Sequence, residues 1–306
     1  MNNNVLITGA SGFVGEHLKK YLSSQAMKVI ELPDSIDIRN KDNVTKFCSN
    51  YSFDFIIHLA AQSFVPNSIS NPRETYDINF IGTLNLLEAL KCSNFKGVFL
   101  FVGSSDVYGT VAEEQLPIKE YTPIIPRSPY AVSKIAAEML CKQWSISEDK
   151  MRILMTRSFN HIGPMQDERF VISGFCKQVA MIKYGLQKPC LTVGNLKVSR
   201  DFTDVRDVVR AYHMLLQGGL NGASYNVCSG QEIYLESILS ELRQIANIDF
   251  RMEVISDLYR DAEQVRAFGS YDKINNDVGW SPKILFNQSL LDVYNYWLDT
   301  LKKDSK

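Results

Sequence analysis

The stretch VLITGASGFVGEHLKKYL, residues 5–22, decides the fold. Val5 to Thr8 form a short apolar run that reads as a strand. Gly9, Gly12 and Gly15 follow at once, with Ser11, Phe13 and Val14 between them, and residues 13–24 then carry a helical pattern. A strand, a glycine turn and a helix N-terminus in succession make a phosphate cradle. Glycines let the backbone approach an anion, and free N–H groups with the helix dipole attract it. The spacing is G-x-x-G-x-x-G, distinct from the G-x-G-x-x-G of the commonest dinucleotide folds. Gly9, Ser11, Gly12, Phe13, Val14 and Gly15 are therefore expected to hold a dinucleotide cofactor.

Working outward, short apolar runs alternate with helical patterns. KVIEL (28–32), FDFIIHLA (53–60), GVFLFVG (97–103) and RILMTRSF (152–159) read as further strands, and residues 41–50, 74–92 and 129–147 as further helices. This alternation is the mark of an α/β fold, a Rossmann-type doubly wound parallel sheet. After Asn160 the pattern loosens. A helix near 170–184, a strand at PCLTV, a helix starting near Asp204 and a strand at SYNVCS (224–229) can be read, followed from Tyr234 by mixed helix and short strands. The expected division is a dinucleotide-binding domain over residues 1–160, rejoined by roughly 203–230. Residues 161–306 then form mainly a smaller mixed α/β substrate-binding domain.

Composition narrows the class. The 306 residues are 45% hydrophobic and 22% charged with a formal charge of −1, which suits a globular protein and offers no basic surface for nucleic acid. The start, MNNNVLITGA, lacks a cationic stretch leading into an apolar one, and no apolar run approaches the length that spans a bilayer. A cytoplasmic protein without a membrane partner is expected. The six cysteines, Cys48, Cys92, Cys141, Cys176, Cys190 and Cys228, show no C-x-x-C spacing and read as reduced thiols. His17, His58, His161 and His213 show no ligand spacing either, so no metal is expected.

Cofactor choice turns on the end of the second strand, KVIELPDSIDIRN. Glu31 and Asp34 stand where a carboxylate takes a ribose 2′-hydroxyl, with no arginine directly beside them for a 2′-phosphate. That leans toward NADH over NADPH, while Arg39 nearby leaves both open. Asp37 and Ile38 can border the adenine; Asp37 reads equally well as a helix cap.

The segment SPYAVSK (128–134) places Tyr130 and Lys134 four residues apart behind Pro129. Residues at that spacing share a helix face, and a proline fits a first helical turn. Spacing alone describes either catalytic machinery or a solvated helix surface.

Gly9 to Gly15, HLAA (58–61), GSSDVYG (103–109) and YAVSK (130–134), in that order, resemble the extended short-chain dehydrogenase/reductase family. RSFNHIGPMQ (157–166), VGNLKVSRDFTDVRDVVRAY (193–212) and YNVCSG (225–230) look like one branch of it, the GDP-6-deoxy-4-keto-D-mannose reductases that form GDP-D-rhamnose. The likeness covers nearly the whole chain. It implies hydride transfer from NADH or NADPH to C4 of a GDP-linked 4-keto-6-deoxy sugar, giving GDP-D-rhamnose, a close stereoisomer or a heptose analogue. Tyr130 would be the proton donor, Lys134 would hold the nicotinamide ribose, and Ser104 would hydrogen-bond the carbonyl oxygen, a role Ser105 could share. A free phenol titrates near ~10, and an ammonium one turn away favours its ionised form. Leu59, Ala60 and Ala61 would line the cofactor, with His58 a satisfied buried histidine beneath its loop.

On the substrate side the resemblance implies Arg200 on the diphosphate, with Asn160, Asn195, Arg260, Glu263, Ser104 and Asp106 around the sugar nucleotide. His161 falls at the pocket rim or in a structural hydrogen bond. Two departures stand out: Met165 replaces the glycine of the usual GPGQ, and RDAEQV (260–265) replaces R-P-x-E-V. Both put the exact sugar in doubt, and the second leaves Arg260 and Glu263 less defined. Dehydratases of the family carry a catalytic carboxylate at the position of Asp106, which keeps a nucleotide-sugar 4-epimerase or 4,6-dehydratase as the alternative. A non-catalytic dinucleotide sensor has no need of Ser104, Tyr130 and Lys134 together. Helices at 74–92 and 129–147 commonly form a dimer interface in the family, so a homodimer is implied. Leu84, Leu87, Leu140 and Trp144 give those helices apolar stripes that would pack a core equally well.

Overall fold

Parallel strands need crossover connections, and this chain places a helix between most of its strands. The computed structural model describes residues 3–148, 150–255 and 264–304. Its first half runs β1 (Asn4–Thr8), α1 (Phe13–Ser24), β2 (Lys28–Glu31), α2 (Lys41–Ser49), β3 (Phe55–His58), α3 (Val65–Ser70), α4 (Pro72–Tyr76), α5 (Gly82–Cys92), β4 (Val98–Ser104), α6 (Pro129–Ser147) and β5 (Arg152–Ser158). The second half runs β6 (Asn160–Ile162), α7 (Val171–Lys183), β7 (Cys190–Val193), β8 (Ser199–Arg200), β9 (Phe202–Asp204), α8 (Val205–Gly218), β10 (Ser224–Val227), β11 (Ile233–Tyr234), α9 (Leu235–Ala246), β12 (Arg251–Val254), β13 (Arg266–Ala267), α10 (Asp272–Val278) and α11 (Phe286–Asp304). Among the described residues no helix is long and apolar enough to cross a membrane.

The main sheet has six parallel strands in the order β10-β5-β4-β3-β1-β2. Alternate residues of each central strand feed opposite faces, as the two-residue period requires. Val5 and Ile7, Phe55 and Ile57, Val98 and Leu100 pack under α1 and α8. Leu6, Ile56, Phe99 and Phe101 pack under α2, α5 and α6. Chain order reverses between β1 and β3, so the crevice beyond their carboxyl ends is the topological switch point where such sheets take ligands.

The segment SYNVCS enters this sheet as β10 beside β5, and α8 packs on its first face next to α1. A separate core joins α7, α9 and α11 through Phe175, Val179, Ile238, Leu242, Leu290 and Trp297. The strand pair β6 and β9 bridges the two regions, with Asn160 opposite Phe202 and Ile162 opposite Asp204.

The expected helix over 74–92 is not uniform. It contains α4, a π-helical turn at Asp77–Ile81 and then α5. The turn widens where Asn79 faces inward, accepting from Gln62 N at 2.8 Å and donating to Gln62 O at 3.0 Å and to Ser133 Oγ at 2.9 Å. One inserted residue lets that amide reach partners on two elements. Leu87 lies in the core under the sheet, and Leu140 and Trp144 pack against that core. The exposed apolar residues of these helices are instead Tyr76, Ile81, Val132, Met139 and Ile146.

Candidate active site

The glycine loop lies at the switch point, between the end of β1 and the start of α1. Gly9 has φ +70, and a Cβ there would sit 2.8 Å from Ala60 N, so only glycine fits against the segment leaving β3. At Gly15 a Cβ would lie 2.4 Å from the Ala10 carbonyl oxygen, so the bare backbone lets α1 pack directly on the loop. Ser11 and Gly12 are exposed, and Gly12 caps α1 without a side chain, which leaves the first N–H groups of the helix for a ligand. These features fit a dinucleotide pyrophosphate. Phe13 and Val14 are half-buried, and Phe13 stacks on His161 at 6.0 Å.

The acidic residues after β2 separate in space. Glu31 accepts from Lys19 Nζ at 3.1 Å, on the side of α1. Asp34 faces the glycine loop, accepting from Ser11 Oγ at 2.9 Å. Asp37 is held by Arg39, whose Nε donates to it at 2.9 Å, and the pairing keeps the Asp37 carboxyl below its usual range. Ile38 is a core residue whose Cγ2 presses against Gly82, so its side chain belongs to the packing of α5.

His58, at the end of β3, is fully enclosed. Thr83 Oγ1 donates to the Asn79 carbonyl at 2.7 Å, so its oxygen accepts from His58 Nε2 at 3.0 Å. Thr8 Oγ1 accepts from Ala60 N at 3.2 Å, leaving its proton for His58 Nδ1 at 2.7 Å. Only the neutral ring protonated at Nε2 satisfies both partners. Burial, with the Lys134 charge nearby, pulls His58 down to about 3. Leu59, Ala60 and Ala61 continue from it, half-buried along the crevice.

Helix α6 carries the pair. Ser128 caps it by accepting from Ala131 N at 3.1 Å, and Pro129 takes the first turn. Tyr130 and Lys134 are both buried, at 9% and 4% exposure, so the solvated-face reading fails. Ser104, the last residue of β4, lies close to the Tyr130 phenol. It also accepts from Asp106 N at 3.2 Å. Ser105 opens the 3-10 turn Ser105–Tyr108 and is half-buried, while Asp106 is exposed close to Tyr130. Burial pushes the Tyr130 phenol well up, the Asp106 carboxylate adds to this, and the nearby Ser104 hydroxyl pulls against it.

The outcome differs from the expectation that Lys134 brings Tyr130 toward ionisation. Lys134 Nζ lies 4.7 Å over the Phe101 ring, and burial lowers Lys134 itself to about 8. Tyr130 therefore stays protonated at neutral pH. A protonated phenol beside a serine hydroxyl suits a proton donor to a carbonyl oxygen.

Sequence reading missed the support beneath this helix. Ser133 Oγ donates to the Tyr130 carbonyl at 2.7 Å and accepts from Asn79. The only signal was a run of polar residues, Asn79, Thr83 and Ser133, within otherwise apolar helices.

On the opposite wall, Asn160 is exposed at the start of β6 and donates to the Asp201 carbonyl at 3.4 Å. Arg200 Nη1 donates to the Ser199 and Gln264 carbonyls, both at 2.8 Å. Asn195 Oδ1 accepts from Lys197 N at 3.0 Å. Buried Asp201 takes hydrogen bonds from Ser229 N, Ser229 Oγ, Gly230 N and Gly269 N, which ties two loops beside Arg200. His161 Nδ1 meets the Phe159 carbonyl at 3.1 Å, a structural bond within the rim. Arg260 and Glu263 lie outside the described residues. Phe64, beyond β3, meets Phe170 edge-on at 6.2 Å and lies under the Arg169 guanidinium at 5.0 Å, so the two walls touch at the mouth.

Comparison with known proteins gives consistent matches. The family model described as GDP-mannose 4,6 dehydratase matches residues 34–293. The GDP-6-deoxy-D-mannose reductase of Pseudomonas aeruginosa is 44% identical over 99% of this chain and 100% of its own length. A GDP-mannose 4,6-dehydratase of Vibrio cholerae is 28% identical over 93% of this chain and 91% of its own. Among solved structures, RMD from Pseudomonas aeruginosa complexed with NADPH superposes with a TM-score of 0.91 at 44% identity, covering 97% of this chain and 99% of that one. The Thermus thermophilus UDP-glucose 4-epimerase complex with NAD gives 0.85 at 26% identity, over 96% and 98%.

Proposed function

The chain belongs to the GDP-mannose 4,6-dehydratase family, within the extended short-chain dehydrogenases/reductases, and from that premise we propose that it is an NAD(P)H-dependent nucleotide-sugar 4-ketoreductase. Its substrate is a GDP-linked 4-keto-6-deoxy sugar, and its product GDP-D-rhamnose or a close stereoisomer or heptose analogue. The observation that carries this reading is the 44% identity over essentially the full length to a reductase, against 28% to a dehydratase.

The reduced nicotinamide, when bound, supplies a hydride to C4 of the sugar. Gly9 to Gly15 receive the pyrophosphate, Asp34 the adenosine ribose, and Leu59 to Ala61 flank the cofactor. Lys134 holds the nicotinamide ribose from within the crevice. Tyr130 gives its phenolic proton to the carbonyl oxygen, and Ser104 steadies that oxygen as charge develops. A positioned acid of this kind contributes about 10²- to 10⁴-fold. Arg200 attracts the diphosphate, with Asn160 and Asn195 beside the sugar nucleotide; Arg260 and Glu263 keep the roles that the resemblance gives them.

Residues 1–160 with roughly 203–230 serve as the cofactor domain in this reading, and the remainder as the substrate domain. Two copies pair through the exposed faces of α4 to α6, bearing Tyr76, Ile81, Val132 and Met139. Reduced thiols and a diffusible cofactor fit a cytoplasmic place of work.

Asp106 close to Tyr130 is the feature that favours a dehydratase instead. The test is ultraviolet absorbance of NADH or NADPH with GDP-4-keto-6-deoxy-D-mannose generated in place, followed by NMR of the product. Stoichiometric oxidation, lost in Tyr130→Phe, is the expected result. Turnover of a nucleotide sugar with no net oxidation would move the assignment to the dehydratase or epimerase class.

A further inference from the structure

One turn beyond Lys134, α6 buries a carboxylate that the chemistry above does not use. Glu138 is 0% exposed, and Arg157 of β5 grips it, with Nε donating to both carboxylate oxygens at 3.1 Å and Nη2 to Oε1 at 2.7 Å. Ser224 Oγ of β10 donates to Oε1 at 2.7 Å. The arginine extends the chain of contacts. Its Nη1 donates to Tyr108 OH at 3.0 Å and to the Glu120 carbonyl at 2.9 Å, and Tyr108 OH donates to Asn226 Oδ1 at 2.7 Å. Tyr108 ends the 3-10 turn that begins one residue after Ser104. The network therefore joins the helix of Tyr130 and Lys134 to the loop of Ser104.

Tyr130, Lys134 and Glu138 recur every four residues, so they share a face of α6. Side chains on a helix lean toward its N-terminus, which tips Glu138 toward the turn of Lys134. We propose that Glu138, held by Arg157, is a positioning residue that keeps Lys134 charged and locks α6 to the Ser104 loop. The proposal rests on the reductase reading for the roles of Lys134 and Ser104.

The other groups around Lys134 do not supply this charge. On α6 itself, Tyr130 and Cys141 are buried and neutral, burial pushing both well up. His58 of β3 is neutral. From the 3-10 turn, Tyr108 is neutral and Asp106 faces solvent; Tyr212 of α8 is pushed up to about 12. Arg157 is a second cation, and Glu120, from the loop before α6, engages Asn226 N at 2.9 Å. Arg73, Glu74 and Asp77 on the neighbouring helix lie at the surface. Cys141 would raise Lys134 more strongly, but only as a thiolate, and burial keeps it a thiol; Glu138 is left as the buried anion of this cluster, raising Lys134 against the effect of burial.

The test is the pH dependence of kcat/KM and, without any sugar, of NADPH affinity read by its fluorescence. In Glu138→Gln the alkaline limb of both should fall by roughly one to two pH units, the scale expected for losing one charge a helical turn away, where Cβ atoms stand about 5–6 Å apart, at an effective dielectric of about 20. Should that variant not fold, Glu138→Leu/Arg157→Met removes both charges together and should keep the fold. Its limb should fall less, because the anion that shares the α6 face with Lys134 goes together with the cation that would otherwise be left unpaired on β5. A purely structural role would lower kcat/KM evenly and leave the limb in place in either folded variant, and that result overturns the proposal. A wild-type protein that binds NADPH but reduces no sugar would count against the reductase reading alone, since the fluorescence limb still reads Lys134.

Discussion

Ser11 Oγ donates a hydrogen bond to Asp34 Oδ1 at 2.9 Å, tying the glycine loop to the acidic segment after β2. Of the acidic residues there, Asp34 is the one turned to the cofactor crevice, since Glu31 is paired with Lys19 and Asp37 with Arg39. A carboxylate at this place accepts a ribose 2′-hydroxyl and repels a 2′-phosphate. Asp34→Asn is expected to raise the ratio of kcat/KM for NADPH over NADH by about tenfold, equivalent to ~1.4 kcal/mol. Steady-state kinetics with both cofactors check this; an unchanged ratio would move the discrimination elsewhere.

Lys134 gives up its proton near pH 8 in the fold, against 10.5 in the unfolded chain, because burial penalises the ammonium. Between those values the unfolded chain holds the extra proton, so stability rises with pH through that window. The penalty is complete below pH 8 and amounts to about 3 kcal/mol. Lys134→Met should therefore be the more stable protein by about 2–3 kcal/mol at neutral pH, its advantage fading as pH climbs past 8 toward 10.5, while reduction is lost. Urea unfolding of both proteins at neutral and alkaline pH decides it.

The acid side belongs to His58. It stays neutral in the fold down to about 3, whereas the unfolded ring protonates near 6.5. Stability from this group is whole above 6.5 and drains as pH falls toward 3. Two pH units below 6.5 the wild type should have lost about 3 kcal/mol more than His58→Gln. Parallel losses in the two proteins would contradict the assignment.

Met165 adopts φ +75, in the region that favours glycine, and its side chain is 48% exposed. It sits in the turn after β6 whose Pro164 carbonyl meets His17 Nε2 of α1 at 2.8 Å. The strain is about 1–2 kcal/mol and the extra freedom of glycine when unfolded offsets about 0.5–1. Met165→Gly should thus gain about 0.5–1 kcal/mol in urea unfolding, with a changed KM for the sugar nucleotide and an unchanged KM for the cofactor. A net loss of stability would mean that the thioether makes contacts worth more than the strain.

Much of the framework could be read locally. The helices at 13–24 and 129–147 carry their own apolar spacing, the second with its own Ser128 cap and Pro129, and the five early strands are apolar runs bounded by turns. The π turn at Asp77–Ile81 could not be read, because it exists to bring Asn79 to Gln62 and Ser133, far apart in sequence. Strands of two to four residues such as β8, β11, β12 and β13 carry too few side chains for any period to show. At the site, Tyr130, Lys134 and the glycines announce themselves through spacing. Glu138 and Arg157, nineteen positions apart, do not.

By itself the sequence determined which segments could be strand or helix, where an anion could approach a glycine turn, and that Tyr130 and Lys134 share a face. These follow from near-neighbour geometry, which any window of a few residues contains. The tertiary structure decided the rest: the neutral tautomer of His58, the phenol of Tyr130 held protonated, the lowered ammonium of Lys134 and the buried pairing of Glu138 with Arg157. Each depends on exclusion of water and on distances between distant segments, and those quantities arise only when the sheet and its helices close around them.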